Sequence, residues 1–278
     1  MPLLDHFNPH SVAVEQKRFP DSVLAGDGTD WPVLRGVVGV FFSSRSGSTA
    51  LARMAERHFH LERVGESLNA AALHMRAEKQ GLADLQTTLK GLVGETSTGG
   101  WFMFKAGVPG LVNAARIGFA DQYRARIHPV LLLRRDGLGQ ALSILAANRT
   151  RKYHSTQAAK RELRAEDYDY DFLTQQLRVI TRANAAIGKA LGWFPNPAQV
   201  LLYEDFQHGD EAAVIAALAA TGLPARAVPV ENPHRVVERI THPLTQDFRA
   251  RFLAECHGEA ADLLATHAEF VEGWTRRA

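Results

Sequence analysis

Seven consecutive residues, Ser43-Ser44-Arg45-Ser46-Gly47-Ser48-Thr49, combine five hydroxyls, one guanidinium and one glycine. Such a set suits a phosphate or a sulfate. Where a strand turns into a helix, backbone N–H groups converge and the first helical amides have no partner of their own. Gly47 allows the tight turn, Ser48 and Thr49 add hydroxyl donors, and Arg45 adds a charged fork of N–H groups. A nucleoside-triphosphatase loop needs GxxxxGK followed by Ser or Thr. Here the residue after Gly47 is serine, so that lysine is missing. The same residues also fit a serine-rich turn that only caps a helix.

A second group follows the apolar run Pro129 to Leu133 (PVLLL). Arg135 stands just past its end, Asp136 could cap the next helix or pair with a neighbour, and Ser143 lies eight residues beyond Arg135. An arginine at the carboxyl end of a strand faces the crevice where α/β folds hold ligands. Ser143, two turns into the helix, can point back to the same place. Two anion pockets on adjacent strand ends suit a ligand phosphorylated at both ends. An Arg135–Asp136 ion-pair corner is the plainer account of the same residues.

The surrounding pattern supplies elements to position these groups. Gly36 to Phe42 (GVVGVFF) reads as a buried parallel strand. After the loop, Leu51, Met54, Ala55, His58 and Phe59 recur at helical spacing. Leu68 to Leu92 is mostly helical with a break near Gly81, Trp101 to Lys105 is a second strand, and Arg116 to Gln122 a further helix. Pro129 to Leu133 is the third strand, followed by a helix stripe through Leu138, Ala141, Leu142, Leu145 and Ala146. Tyr153 to Asp169 is a polar excursion. Phe172 to Leu191 is a long amphipathic helix ended by Gly192 and Pro195, Val200 to Tyr203 the fourth strand, and Ala212 to Ala220 a helix. The tail adds a helix over His242 to His257 and another near Ala260 to Trp274. Strands alternating with helices predict an α/β protein, a P-loop-like three-layer fold with a central parallel sheet flanked by helices. The expected organisation is one domain over residues 1–278, with 1–30 an irregular lead-in around Pro9, Pro20, Gly26 and Gly28, and 226–278 a helical tail.

Composition excludes several classes. Hydrophobic residues at 46% against 22% charged offer enough apolar surface to fold, which sets disorder aside. The 32 Lys and Arg nearly balance the 30 Asp and Glu, leaving no field to draw the chain to nucleic acid or an anionic membrane. The one cysteine, Cys256, allows neither an intrachain disulfide nor a cysteine metal cluster and points to a reducing, cytoplasmic compartment. The 12 histidines form no HExxH pattern or facial triad, so no metal is expected. Asp5 near the start and the absence of a long apolar run argue against a signal peptide or a membrane span. A homodimer stays open.

Taken in order, these segments resemble a known family. Phe41 to Leu51 (FFSSRSGSTAL) resembles the 5′-phosphosulfate loop of sulfotransferases that use 3′-phosphoadenosine 5′-phosphosulfate (PAPS), and Leu133 to Ser143 (LRRDGLGQALS) resembles their 3′-phosphate element. The second form is similar to the bacterial Stf0-like branch, which includes trehalose sulfotransferases. YDYDFLTQQLRVITRANAAIG resembles that family's long helix, and LLYEDFQHGDEAAVIAALAATGLPA its late strand and helix, so the likeness spans about residues 37 to 225. The resemblance implies that Arg45, Ser46, Gly47, Ser48 and Thr49 hold the 5′-phosphosulfate and that Arg135 and Ser143 bind the 3′-phosphate. It implies PAPS as donor, PAP as product, and no metal. The acceptor would be a hydroxyl on a small molecule, a carbohydrate or glycolipid headgroup. Gly65-Glu66 matches the segment that carries a catalytic glutamate.

Sulfuryl transfer is in-line, and a protein catalyses it by positioning groups and neutralising developing charge. On this reading Glu66 removes the acceptor proton; the alternative is a cap, or a pair with Arg63. Lys105, after an apolar strand, either stabilises the bridging oxygen or reaches solvent. His58 and His60 are substitute bases or ordinary helix residues. Trp101 or Phe102 could stack on adenine or belong to the core. The charged segment 151–170 and the run Asn232 to Arg239 are candidates for closing over the acceptor and for adding basic groups to the donor site. Two other functions fit the motifs: a kinase-like enzyme acting on a small metabolite, and a nucleotide-binding module without catalysis.

Overall fold

In the computed structural model, which describes residues 2–24, 26, 30–153, 157–230 and 242–277, the centre of the molecule is the strand β1 (Gly36–Phe42), buried along its whole length. Its parallel neighbours are β2 (Trp101–Ala106) and β3 (Ile127–Leu133), and β4 (Gln199–Leu202) pairs with β3, giving the order β2-β1-β3-β4. The helices in chain order are α1 (Pro9–Arg18), α2 (Ser48–His58), α3 (Ala70–Gln80), α4 (Leu85–Thr96), α5 (Val108–Arg116), α6 (Phe119–Tyr123), α7 (Gly137–Thr150), α8 (Tyr170–Leu191), α9 (Tyr203–Phe206), α10 (Ala212–Ala220), α11 (Leu244–Glu255) and α12 (Glu259–Thr275).

The strands are apolar on both sides because both sides are covered. Val38, Val40 and Phe42 of β1 join Val130 and Leu132 of β3 under Leu51 and Ala55 of α2 and Val214 and Leu218 of α10. Val37 and Phe41 turn the other way, with Leu131 and Leu133, onto α5, α6 and the carboxyl half of α8. There Phe41 stacks on Phe194 with ring centroids 5.6 Å apart and meets Phe104 edge-on at 5.8 Å. This is an α/β fold with a central parallel sheet flanked by helices. Among the described residues no helix is long and apolar enough to cross a membrane.

The strand order matters for function. From β1 the chain winds outward to β2 on one side, then returns past β1 to add β3 and β4 on the other. Winding therefore reverses between β1 and β3, and a crevice opens outside their carboxyl ends, the usual ligand position in such sheets.

Three expectations need correction. The lead-in 1–30 is not irregular throughout, because residues 9–18 form α1. Asn8 caps this helix by accepting from the His10 amide at 2.8 Å, and Pro9 starts it with its φ already helical. The helix expected over Arg116 to Gln122 is instead the end of α5 and a separate short α6, parted at Gly118 with φ of 83°. Tyr203 does not end the fourth strand but opens α9. In the tail, α11 and α12 carry the helical pattern, and Asn232 to Arg239 lies outside the described residues.

Candidate active site

The loop after β1 wraps the amino end of α2. Gly47 occupies the cap position with φ of 92° and supplies no side-chain acceptor, so the first amides of α2 are open to an anion. Ser46 is completely buried, and among the described residues its hydroxyl has no hydrogen-bond partner. A buried hydroxyl left unpaired costs about 1–3 kcal/mol, which a bound oxyanion would offset. A side chain at position 47 would meet both a positive φ and the ring of Tyr203. Gly47→Ala is therefore expected to cost roughly 1–2 kcal/mol from backbone conformation alone, more with the ring displaced. A melting-temperature drop of several degrees would check this.

Arg45 sits in the same turn with φ of 66°, an uncommon conformation for a residue with a side chain. Its Nε donates to Ser143 Oγ of α7 at 3.0 Å, and one Nη donates to the Tyr153 carbonyl at 2.6 Å. The two sequence motifs thus meet across the β1–β3 crevice. Arg134, at the end of β3, lies over the Tyr203 ring at 5.0 Å and donates to the Arg45 carbonyl at 3.4 Å. Burial, and then the charge of Arg134, push the Arg45 pKa down, with Tyr203 opposing. A guanidinium remains charged regardless, so Arg45 and Arg134 bring two positive charges close together beside the loop.

Lys105 completes this cationic floor from the β2 side. Its side chain is 11% exposed, and its ammonium donates to Thr49 Oγ1 at 3.3 Å. Burial lowers its pKa, the Glu66 carboxylate raises it, Arg53 lowers it and Glu56 raises it, for a net downward shift. Glu66 Oε1 is 4.0 Å from the ammonium. The backbone brings them together, since Gly65 forms a parallel bridge to Phe104 and its carbonyl accepts from the Lys105 amide at 2.9 Å. Glu66 is half-exposed and faces Lys105, while Asn69 caps the helix that follows, α3.

The second motif is built differently. Asp136 caps α7 by accepting from the Gly139 amide at 2.8 Å and pairs with Arg249 of α11. Burial works against its charge, but the hydrogen bonds from Arg249 and Gly139 and the charges of Arg249 and Arg134 outweigh it, and its pKa falls. The amino end of α7 is thus closed by its own carboxylate, whereas that of α2 is open. Arg135 is exposed, with its guanidinium 3.9 Å from Asp205. Ser143 is engaged by Arg45, not by Arg135.

No family model matches the chain, and no curated protein matches it. Among solved structures, the crystal structure of a sulfotransferase from Alicyclobacillus acidocaldarius aligns over 86% of this chain and 97% of that one, at 15% identity and a TM-score of 0.48. A likeness at that level does not extend to chemistry.

Other candidates are placed away from the crevice or behind it. His58 bonds Glu211 at the seam between α2 and α10. Trp101 begins β2, at the amino end of the strands and away from their carboxyl ends, against His128, and Phe102 is buried in the core. Among the described residues no group of three or more His, Cys, Asp and Glu could hold a metal ion. Glu204 accepts from the amides of Arg135 at 2.9 Å and Asp136 at 3.1 Å, bracing the second motif from the β4 side. Gln140, fully buried, donates to Ser43 Oγ at 2.9 Å and the Ser44 carbonyl at 2.6 Å, tying α7 to the first loop. His267 of α12 donates through Nε2 to the Arg134 carbonyl at 2.8 Å. Arg134, Gln140 and His267 have no local signal, since each acts across 89 or more residues of chain.

Burial pushes the His267 pKa down, against the Arg134 carbonyl bond and the charges of Asp136 and Glu204. The unfolded chain thus binds a proton first as pH falls from about 6.5. Stability present above that pH is lost as pH drops toward the depressed folded value. Melting temperature should therefore fall between pH 7 and 5, and His267→Gln should flatten the slope. Burial lowers the His128 pKa as well, so some slope should persist.

Proposed function

We propose that this chain is a PAPS-dependent O-sulfotransferase, acting through a single sulfotransferase-like domain. The observation that carries the reading is the cationic seat at the β1–β3 crevice. There Arg45 reaches Ser143, the amino end of α2 has no side-chain cap, and the Ser46 hydroxyl is buried without a partner. These groups fit an oxyanion that enters from the crevice. Arg45, Ser46, Gly47, Ser48 and Thr49 hold the 5′-phosphosulfate through amides, hydroxyls and the guanidinium fork. Exposed Arg135 turns from Asp205 to the 3′-phosphate, with Ser143 as a hydroxyl donor.

The donor supplies an activated sulfuryl group. Glu66 accepts the proton of the acceptor hydroxyl as its oxygen bonds to sulfur. Lys105 neutralises the charge that builds on the bridging oxygen as the sulfur–oxygen bond to the phosphate breaks, and PAP leaves. The 4.0 Å separation of Glu66 and Lys105 supports this division of labour, with opposite charges on the two sides of one transfer. The acceptor is a small hydroxyl compound, a carbohydrate or glycolipid headgroup.

Incubation with PAPS and a panel including trehalose, other sugars and a glycolipid tests this directly. PAP should form together with an acceptor heavier by one sulfate. ATP consumption with phosphorylated product would instead establish a kinase.

A further inference from the structure

The turn Arg134-Arg135-Asp136, at the exit of β3, is held at both ends by the C-terminal helices. At one end, His267 of α12 donates through Nε2 to the Arg134 carbonyl at 2.8 Å. At the other, Arg249 of α11 pairs with the Asp136 carboxylate that caps α7. Between them, Glu204 holds the Arg135 and Asp136 amides at 2.9 and 3.1 Å. A carbonyl only accepts, so His267 carries its proton on Nε2 and leaves Nδ1 as a bare acceptor. That Nδ1 is buried without a hydrogen-bond partner among the described residues. The ring packs on Gly137, where a Cβ would lie 2.7 Å from the imidazole Cδ2.

The tail does not need these polar groups to cover the core. Phe248 and Phe252 of α11 pack on Leu138, Leu142 and Leu145 of α7, and Val271 of α12 reaches the sheet-side core. A purely space-filling tail would sooner carry an apolar side chain at 267 than an imidazole with an unpaired nitrogen. Yet two separate helices each direct one polar side chain to the same three-residue turn. That turn carries Arg134, which donates to the Arg45 carbonyl, and the exposed Arg135, 3.9 Å from Asp205.

We infer that His267 and Arg249 are positioning residues for ligand binding, setting the geometry of the Arg134–Asp136 turn so that the two anion motifs stay in register. The inference rests on the donor reading for the identity of the ligand, but not for the coupling between tail and turn.

Hydrogen exchange and binding of adenosine 3′,5′-bisphosphate, measured on the full chain, separate the two. His267→Leu and Arg249→Met should speed exchange in a peptide covering 134–140 while β1 stays protected. Each should weaken the bisphosphate by roughly tenfold, about the worth of one hydrogen bond. His267→Gln and Arg249→Lys keep a donor and should recover most of both. Unchanged exchange in 134–140 overturns the inference, as does equal loosening of the whole chain in the Gln and Leu variants. If the unaltered protein ignores the bisphosphate while the turn loosens as described, the donor assignment fails and the coupling of tail to turn stands.

Discussion

Arg45→Ala is expected to lower kcat/KM by about 10²–10³, the usual loss when one preorganised donor to a transition-state oxyanion is removed. Arg45 stands where the two motifs meet. It sits in the turn at the open end of α2, it is the residue that links the first loop to Ser143, and its charge is packed beside Arg134. Arg45→Lys keeps the charge but loses the planar fork, so it should fall between wild type and alanine. The backbone supplies an independent check. At φ of 66° a non-glycine residue is strained, so Arg45→Gly should melt higher than Arg45→Ala, by about 1 kcal/mol, while being no more active. If alanine and glycine melt alike, backbone strain at Arg45 is not part of the site. Steady-state kinetics and thermal melts of the three variants measure all of this.

The second large effect concerns the Lys105–Glu66 pair. Lys105→Met, nearly equal in length, should reduce kcat by about 10²–10³ and leave bisphosphate affinity within a few-fold, because in the proposed mechanism Lys105 acts on charge that develops during transfer. Glu66→Gln should cost kcat about 10²–10⁴ for the loss of a general base. Glu66 is half-exposed, so Glu66→Gln should not change melting by more than a degree or two. A rise in KM with unchanged kcat in both variants would assign the pair to binding and remove it from the chemistry.

The central strand and the helix α10 were legible to the residue, since an apolar run and an alanine-rich stretch bounded by glycine and proline have few alternatives. Asn8-Pro9 is an N-cap followed by an N1 proline, a signal present in the sequence and outweighed by the flanking prolines and glycines. Helix α5 was less legible because it begins at Gly107-Val108-Pro109, which reads equally well as a loop. For the candidate site, local motifs singled out the residues of one strand–helix turn, Arg45 to Thr49. They also singled out Arg135 and Ser143, but not that Arg45 would reach Ser143, 98 residues away. Arg134 and Arg135 are adjacent, and which one turns inward depends on the strand register and on Tyr203. The contributions of His267 and Arg249 depend on how the tail packs, and no spacing in the sequence encodes that.

Calorimetric titration asks whether the crevice binds a nucleotide phosphorylated at both ends. Adenosine 3′,5′-bisphosphate, AMP and ATP would be titrated into wild type, Arg135→Ala and Arg45→Ala. Micromolar binding of the bisphosphate, much weaker AMP, and loss of that difference in Arg135→Ala are the predicted results. Absence of bisphosphate binding, or a preference for ATP, would contradict the account and leave the two motifs as a helix-capping turn and an ion-pair corner.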